Sequence, residues 1–422
     1  MSRLKIKART VLTGTTLEPL TDGGILIDEG KIVAVGSADA IPDTEGTSTW
    51  DLGDVTIMPG MIDAHMHTFG VDSTRLHTLA TEREAYRAIR ALGELRQLLE
   101  AGFTSARCLG STIGPEIRRA IEDGSAVGPR LKAAGAFISS TSGTWDSKSV
   151  PLAAAHASGE LADGVEGVRR AVRERVRDGA DFIKLGLSKG GVHDRYHAWG
   201  DDPLAQVASY SKQEVAAAVD EARRNGLKVS AHAIGEAAVA LALQCDVDTI
   251  EHGYGISPAT RRELVAKDKI VVSTISQLHF HRAAYDQFHY PQWERDVYER
   301  HWAIMERDFK LGLEAGVRFA LGTDMVGRPT HPLDQAAMEF ILAVEWGMTP
   351  KQALIAGTAV AAEVLGISAE TGAIETNKAA DLVAFATNPV EDISAVMTPV
   401  FVMKQGDLIK AQRRGASEHD PY

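Results

Sequence analysis

Six residues in this 422-residue chain are of the types from which a metal centre is built: His65, His67, Lys184, His232, His252 and Asp324. The first two close the apolar run Met58-Pro59-Gly60-Met61-Ile62-Asp63-Ala64-His65-Met66-His67. In a buried parallel strand the two-residue period puts both histidines on one face, so their ring nitrogens can converge on one cation. Alone, the pair serves equally well as two hydrogen-bonded core histidines. What separates the readings is whether other ligand types recur at the ends of later strands. They do: Lys184 in Ile183-Lys184-Leu185, His232 in Ala231-His232-Ala233, His252 in Ile250-Glu251-His252 and Asp324 in Gly322-Thr323-Asp324. Each would otherwise be an expensive polar group in an apolar layer.

Lys184 is the least obvious member, because an ammonium has three donors and no lone pair for a metal. It can serve only after modification. A lysine carbamylated by carbon dioxide presents a carboxylate whose two oxygens can bridge a pair of cations. The alternative is a snorkelling or ion-paired lysine. Its position inside the apolar stretch Phe182-Ile183-Lys184-Leu185, away from any strand edge, argues against that.

The elements that must position these residues alternate between helix and strand, the signature of a parallel α/β architecture. At 82–100 the apolar residues Ala85, Ile89, Leu92, Leu95 and Leu99 form one helical stripe, and Gly102 follows as the cap. Further helices are expected at 165–177 and 213–225. Strands are expected at 58–67, 104–109, 131–137, 182–187, 229–233, 249–252, 270–276 and 319–324. Eight is the number that a TIM-type (β/α)8 barrel needs. A packing helix over 350–365 ends at Gly366, and both ends of the chain, 4–54 and 372–409, read as short strands between turn signals. These features point to a barrel at 58–366 and a composite β-domain built from 1–57 with 367–422.

The balance of 44% hydrophobic and 24% charged residues is that of an ordinary globular protein. A net charge of −12 leaves no basic footprint for a phosphate backbone or an anionic membrane surface, so neither nucleic acid nor membrane is an expected partner. The opening Met1-Ser2-Arg3-Leu4-Lys5-Ile6-Lys7 is a charged alternating strand and no run reaches transmembrane length, which makes the cytoplasm the expected location. The two cysteines, Cys108 and Cys245, suit a reducing compartment and exclude a cysteine-based zinc cluster. Any metal must be held by histidines and carboxylates.

Taken together, the HxH after Pro-Gly-Met-Ile-Asp, Lys184 in Ile-Lys-Leu, His232 in Ala-His-Ala, His252 in Glu-His-Gly and Asp324 in Gly-Thr-Asp resemble the amidohydrolase superfamily. More narrowly, the chain is similar to its prolidase-like, imidazolonepropionase-related branch of dipeptidases and N-acyl amino acid hydrolases. The likeness extends to Gly24-Ile25-Leu26-Ile27 near the start and Ala380-Asp381-Leu382-Val383 near the end. The resemblance implies a distorted (β/α)8 barrel, a small β-sandwich from both termini, and a binuclear centre of divalent ions, of zinc type. One metal would be held by His65, His67 and Asp324, the second by His232 and His252, with carbamylated Lys184 bridging them. A hydroxide between two cations is a nucleophile available at neutral pH. Asp324 would take its proton and pass it to the leaving amine. The family also leans towards a homo-oligomer.

The departures from the branch pattern gather in loops. Arg107-Cys108-Leu109-Gly110 stands where relatives often show Arg-Asp-x-Gly, Ser142-Gly143-Thr144-Trp145 where they have a Gly-Gly-His-Gly loop, and Ile234 where many have a tyrosine. The segment after Lys184 runs one residue longer, through Ser188-Lys189-Gly190-Gly191. Trp145 is therefore a candidate substrate contact. After the seventh strand, Gln277 to Trp293 packs histidines and aromatics into a long connection. It reads either as a substrate-lining lid, with His289 and Tyr290 as contacts, or as an aromatic helix on the barrel rim. Lys189, His193, Arg195 and His331 are further candidates for a substrate carboxylate or the pocket rim.

The expected activity is metal-dependent hydrolysis of an amide in a small N-acyl amino acid, dipeptide or related xenobiotic amide. A cyclic amide of the imidazolone or lactam kind is the alternative. A mononuclear deaminase is third, since such enzymes keep the histidines and aspartate without a bridging lysine. A catalytically inert scaffold is disfavoured because every ligand position is filled.

Overall fold

In the computed structural model, which describes residues 3–42, 45–146, 150–188 and 207–411, the apolar run ending in His65-Met66-His67 divides at Pro59-Gly60. The single strand expected at 58–67 is therefore two strands in different sheets. Thr56–Pro59 runs parallel to Arg3–Thr13 and antiparallel to Leu382–Phe385. Met61–Met66, here β1, pairs in parallel with Phe103–Cys108, β2. Proline lacks a ladder donor and Gly60 lies so close to the Thr104 side chain that a Cβ there would collide with it, so the ladder changes partners at this point.

The remaining parallel strands are Arg130–Ala133 (β3), Ile183–Gly186 (β4), Val229–Ala233 (β5), Thr249–His252 (β6), Ile270–Ser273 (β7) and Arg318–Leu321 (β8). They form a three-stranded sheet, β1-β2-β3, and a five-stranded one, β4 to β8 in sequence order. Backbone hydrogen bonds cross both seams. His67 N–H donates to Met325 O (2.9 Å) and Thr323 N–H to His65 O (2.9 Å). On the other side Ile138 N–H donates to Lys184 O (3.2 Å) and Gly186 N–H to Ile138 O (2.9 Å). Most of these strands are buried along their whole length, which is why they read as continuous apolar runs without alternation. Several are shorter than the sequence suggests. β3 ends at Ala133, β7 at Ser273 and β8 at Leu321, so Asp324 stands on the turn beyond its strand.

One eight-stranded sheet takes strands from both ends of the chain. Its order is Asp407–Ala411, Phe401–Lys404, Leu382–Phe385, Thr56–Pro59, Arg3–Thr13, Glu18–Asp28 and Lys31–Ser37, with Thr47–Asp51 also on Arg3–Thr13. The ends thus join as one connected mixed sheet over a core that includes Ile6, Val11, Ile57 and Leu382.

Two helices depart from expectation. Glu84–Glu100 buries Arg87, Ala91, Leu95, Leu98 and Leu99, whereas Ala85 and Ile89 of the expected stripe face solvent. Its first turns pack against the segment around Phe69, whose carbonyl accepts from Arg87 Nε (3.0 Å), so a polar residue takes the inner face there. The helix expected over 350–365 is two, Pro350–Ala356 and Ala359–Leu365. It breaks where the Gly357 carbonyl turns to accept the N–H of Ile62 (2.8 Å). The basic face of Gly164–Arg177 is neutralised by its neighbour Lys212–Arg224: Arg169 and Arg173 both pair with Glu221. No helix among the described residues is long and apolar enough to cross a membrane.

At the seam beside β1, Gly322 is pressed against His65. A Cβ there would sit 2.5 Å from the His65 Cβ and 2.6 Å from its backbone nitrogen. Gly322→Ala should therefore cost about 1–3 kcal/mol of overpacking in a urea titration. An unchanged midpoint would show that the seam yields.

Candidate metal centre

The geometry begins with Asp63, on the same face of β1 as His65 by the two-residue period. Its carboxylate accepts from His65 N–H (3.1 Å), Thr323 N–H (3.0 Å) and the Thr323 hydroxyl (2.7 Å). It thereby ties the end of β1 to the turn that carries Asp324. Burial pushes its carboxyl up to about 6, against those hydrogen bonds.

His65, His67 and Asp324 come together as one buried group, with a ligand atom of each within 4.8 Å of the others. The Nε2 atoms of His65 and His67 lie 3.3 and 3.0 Å from Asp324 Oδ1. Their Nδ1 atoms are turned the other way and held, His65 by Glu251 Oε2 (2.7 Å) and His67 by the Gly110 carbonyl (3.0 Å). Such outer partners set the ring orientation and turn Nε2 of both rings toward Asp324. His252 is oriented likewise, with Nδ1 at 2.8 Å from the Thr274 hydroxyl. Its ring centroid is 5.0 Å from that of His65 and 4.5 Å from that of His232.

Lys184 and Ser230 are register partners on β4 and β5, two positions before His232. Its ammonium is 1% exposed and has no hydrogen-bond partner among the described residues, as is also true of His232 Nε2 and Asp324 Oδ2. Burial pushes Lys184 down to about 8 and holds His67, His232 and His252 below the usual histidine value. Burial alone would raise Asp324, yet His65 and His67 beside it hold the carboxyl well below the ordinary range. His252 and Asp324 both have left-handed backbone, φ 70° and 51°, a conformation that a non-glycine residue adopts at a cost and that clusters at functional sites. Buried donor atoms gathered in one place are what a cation would satisfy, and four imidazoles with a carboxylate are a hard-to-borderline donor set.

Glu251 is the part that sequence reasoning missed. It is fully buried, and its carboxylate receives Arg107 Nη2 (2.6 Å), the Ser230 hydroxyl (2.6 Å), the Thr249 hydroxyl (2.9 Å) and His65 Nδ1. Burial would raise it, but Arg107 and His65 hold it well below the carboxylate range. Arg107, at the head of a segment read as departing from the family pattern, donates Nε to the Ala64 carbonyl (2.7 Å). The signal was available: a glutamate inside Thr-Ile-Glu-His is as anomalous as Lys184 in its strand.

The expected substrate contacts divide. Trp145 stacks on Phe69 (5.3 Å), which in turn stacks on His67 (4.7 Å). His331 is buried, with Nδ1 at the Thr330 hydroxyl (2.7 Å) and its ring 4.6 Å from His281. Tyr290 is enclosed among Tyr285, Tyr298 and His281, its hydroxyl on His281 Nδ1 (2.8 Å), so its place is in the packing of this segment. His289 is exposed, and no contact described here ties it to the metal group. The long connection that holds them contains the helix Ile275–Ala283 packed on the helix Gln292–Ala315, which is the rim-helix alternative. Lys189, His193 and Arg195 lie outside the described residues.

Parallel strands whose polar ends converge in this way define a hydrolase on a TIM-barrel-type fold. The model of the amidohydrolase family matches residues 56–409, and the chain belongs to that family. It is 33% identical to ochratoxinase of Aspergillus niger, over 93% of this chain and 84% of that one. It is 24% identical to imidazolonepropionase of Deinococcus deserti, over 93% and 94%. Among solved structures, a prolidase complexed with N-methylphosphonate-L-proline matches at a TM-score of 0.87 and 30% identity, over 97% of this chain and 100% of that one. The chain is thus a hydrolase of carbon–nitrogen bonds that acts on amides.

Glu251→Gln would leave Arg107 buried without its counter-charge and weaken the grip on His65. It should cost about 3–5 kcal/mol of stability in denaturant titration and about 10–100-fold in metal affinity by chelator competition. A variant with both values at the parent level would remove Glu251 from the account.

Proposed function

We propose that the chain hydrolyses the amide bond of a small N-acyl amino acid, dipeptide or related xenobiotic amide, using two divalent cations bridged by carbamylated Lys184. In this reading residues 58–366 form the closed barrel, and 1–57 with 367–422 form the accessory β-domain. The observation that carries it is Lys184, an unpaired amine buried on β4, which pairs with the strand of His232, with no acid in ion-pair contact among the described residues. Carbamylation converts that otherwise costly group into an anionic ligand, with the neutral amine as the form that adds carbon dioxide.

His65, His67 and Asp324 would hold one cation and His232 and His252 the other. The pair would supply a water-derived nucleophile at neutral pH and polarise the scissile carbonyl. Asp324, held ionised by the histidines beside it, accepts the proton of the attacking water on its carboxylate and returns it to the leaving nitrogen. Asp63 fixes the turn on which Asp324 sits, and Glu251 keeps His65 presenting Nε2. Trp145, through its stack on Phe69, supports a wall of the substrate pocket. Likeness to imidazolonepropionase along most of the chain supports a cyclic amide as the second reading.

Release of free amino acid from a panel of N-acyl amino acids and dipeptides, run beside cyclic amides, tests the substrate class, and silence across both sets would sink it. Purified protein should contain close to two metal ions per chain, whereas one ion would favour a mononuclear reaction. Lys184→Ala should lose at least a hundredfold in activity together with metal content, and full activity in that variant would exclude the bridge.

A further inference from the structure

Beyond the aromatic layer that backs His67 lies a second cavity, of about 520 Å³, whose lining includes none of the proposed metal ligands. That is the size of a small-molecule pocket. Its wall is mostly apolar, with Phe69, Leu76, Leu79, Trp145 and Leu161 among the lining residues. Phe69 and Trp145 form a continuous stack with the metal-centre residue His67, so the cavity shares its wall with the reaction site. The Trp145 indole N–H donates to Glu160 (2.9 Å), which fixes the ring in that wall.

Into this apolar space comes one buried cation. Arg87 is 4% exposed, on the inner face of Glu84–Glu100 and off the apolar stripe that the sequence spacing predicts. Nε is used by the Phe69 carbonyl (3.0 Å) and Nη1 only weakly by the Thr112 hydroxyl (3.5 Å), and no hydrogen bond of Nη2 is found among the described residues. Glu82, Glu84 and Glu160 line the same cavity, yet no carboxylate among the described residues comes within the 4.0 Å of an ion pair with Arg87. Glu84, Glu160 and Glu82 act on this guanidinium at longer range, but no carboxylate among the described residues occupies its fork, which fits one.

We propose that this cavity is a binding site for an apolar carboxylate, whose body rests on the Phe69 and Trp145 wall and whose carboxyl group is received by Arg87. The ligand is either the remote end of an amide substrate or a free carboxylic acid. Binding does not depend on the proposed reaction, so it is read without turnover.

The test is calorimetric titration of the full chain, in its metal-loaded form, with 3-phenylpropionate and with its uncharged amide. The parent should bind the acid at least tenfold more tightly than the amide. Arg87→Met should abolish that preference while Arg87→Lys keeps part of it, and Ala155→Trp, which fills the cavity from its lining, should weaken both ligands at least tenfold. Ala155→Trp keeps the test decisive if Arg87→Met fails to fold. If the site receives a substrate's remote end, Arg87→Met raises KM at least tenfold for amides with a distal carboxylate and leaves kcat in place. If it receives a free acid, KM is unmoved while 3-phenylpropionate binding is still lost. Equal affinity of the parent for acid and amide, or unchanged acid affinity in Ala155→Trp, as binding at the metal centre would give, overturns the proposal.

Discussion

An ionised carboxylate taken wholly out of water must be met on both oxygens, and Glu251 is the place where this chain satisfies that demand. One oxygen takes His65; the other takes Arg107 and the hydroxyls of Ser230 and Thr249. These partners come from β1, β2, β5 and β6, so a single charge draws strands of both parallel sheets onto one point. His65, one of the candidate metal ligands, is itself among these partners. Asp63 repeats the device between β1 and the Asp324 turn. His65 is therefore aimed by a buried charge whose position the two sheets share, while His67 and His252 are aimed by neutral groups just beyond strand ends, the Gly110 carbonyl and the Thr274 hydroxyl.

The candidate ligands were legible in the sequence because a histidine, lysine or aspartate in an apolar parallel strand has no cheap alternative. Spacing of two placed His65 with His67, and the recurrence of polar strand ends supplied the rest. Glu251 and Asp63 carried the same signal but stood next to stronger ligand types, and only the fold shows that Glu251 aims the His65 ring while Asp63 ties β1 to the turn before Asp324. The parallel strands were likewise visible, although their ends were not: Asp324 lies three residues past Leu321, on a turn with left-handed backbone that no hydrophobic pattern reports.

Where periodicity failed, long-range packing had taken over. Ile89 is turned to solvent and Arg87 inward, where the Phe69 carbonyl accepts from its Nε, a fact about a neighbour and not about the helix. The break at Gly357 arises from a backbone hydrogen bond to β1, nearly three hundred residues earlier in the chain. Tyr290 looks like pocket chemistry in the sequence, and in the fold its hydroxyl meets His281 Nδ1. Polar aromatic residues in a long connection do not distinguish a lid from a small core of its own.

Gly60 is the sole residue between the strand that belongs to the terminal sheet and the strand that ends at the metal-centre histidines. Its own N–H is bonded to Asp381 O (2.9 Å), and the next N–H, of Met61, to Gly102 O (3.0 Å). There is no slack in such a joint. The sheet formed by the ends of the chain and the strand that carries His65 are mechanically in series, so a load applied to one is carried by covalent backbone to the other. Variation in the terminal strands, far from any substrate, is thereby limited by how little His65 can move.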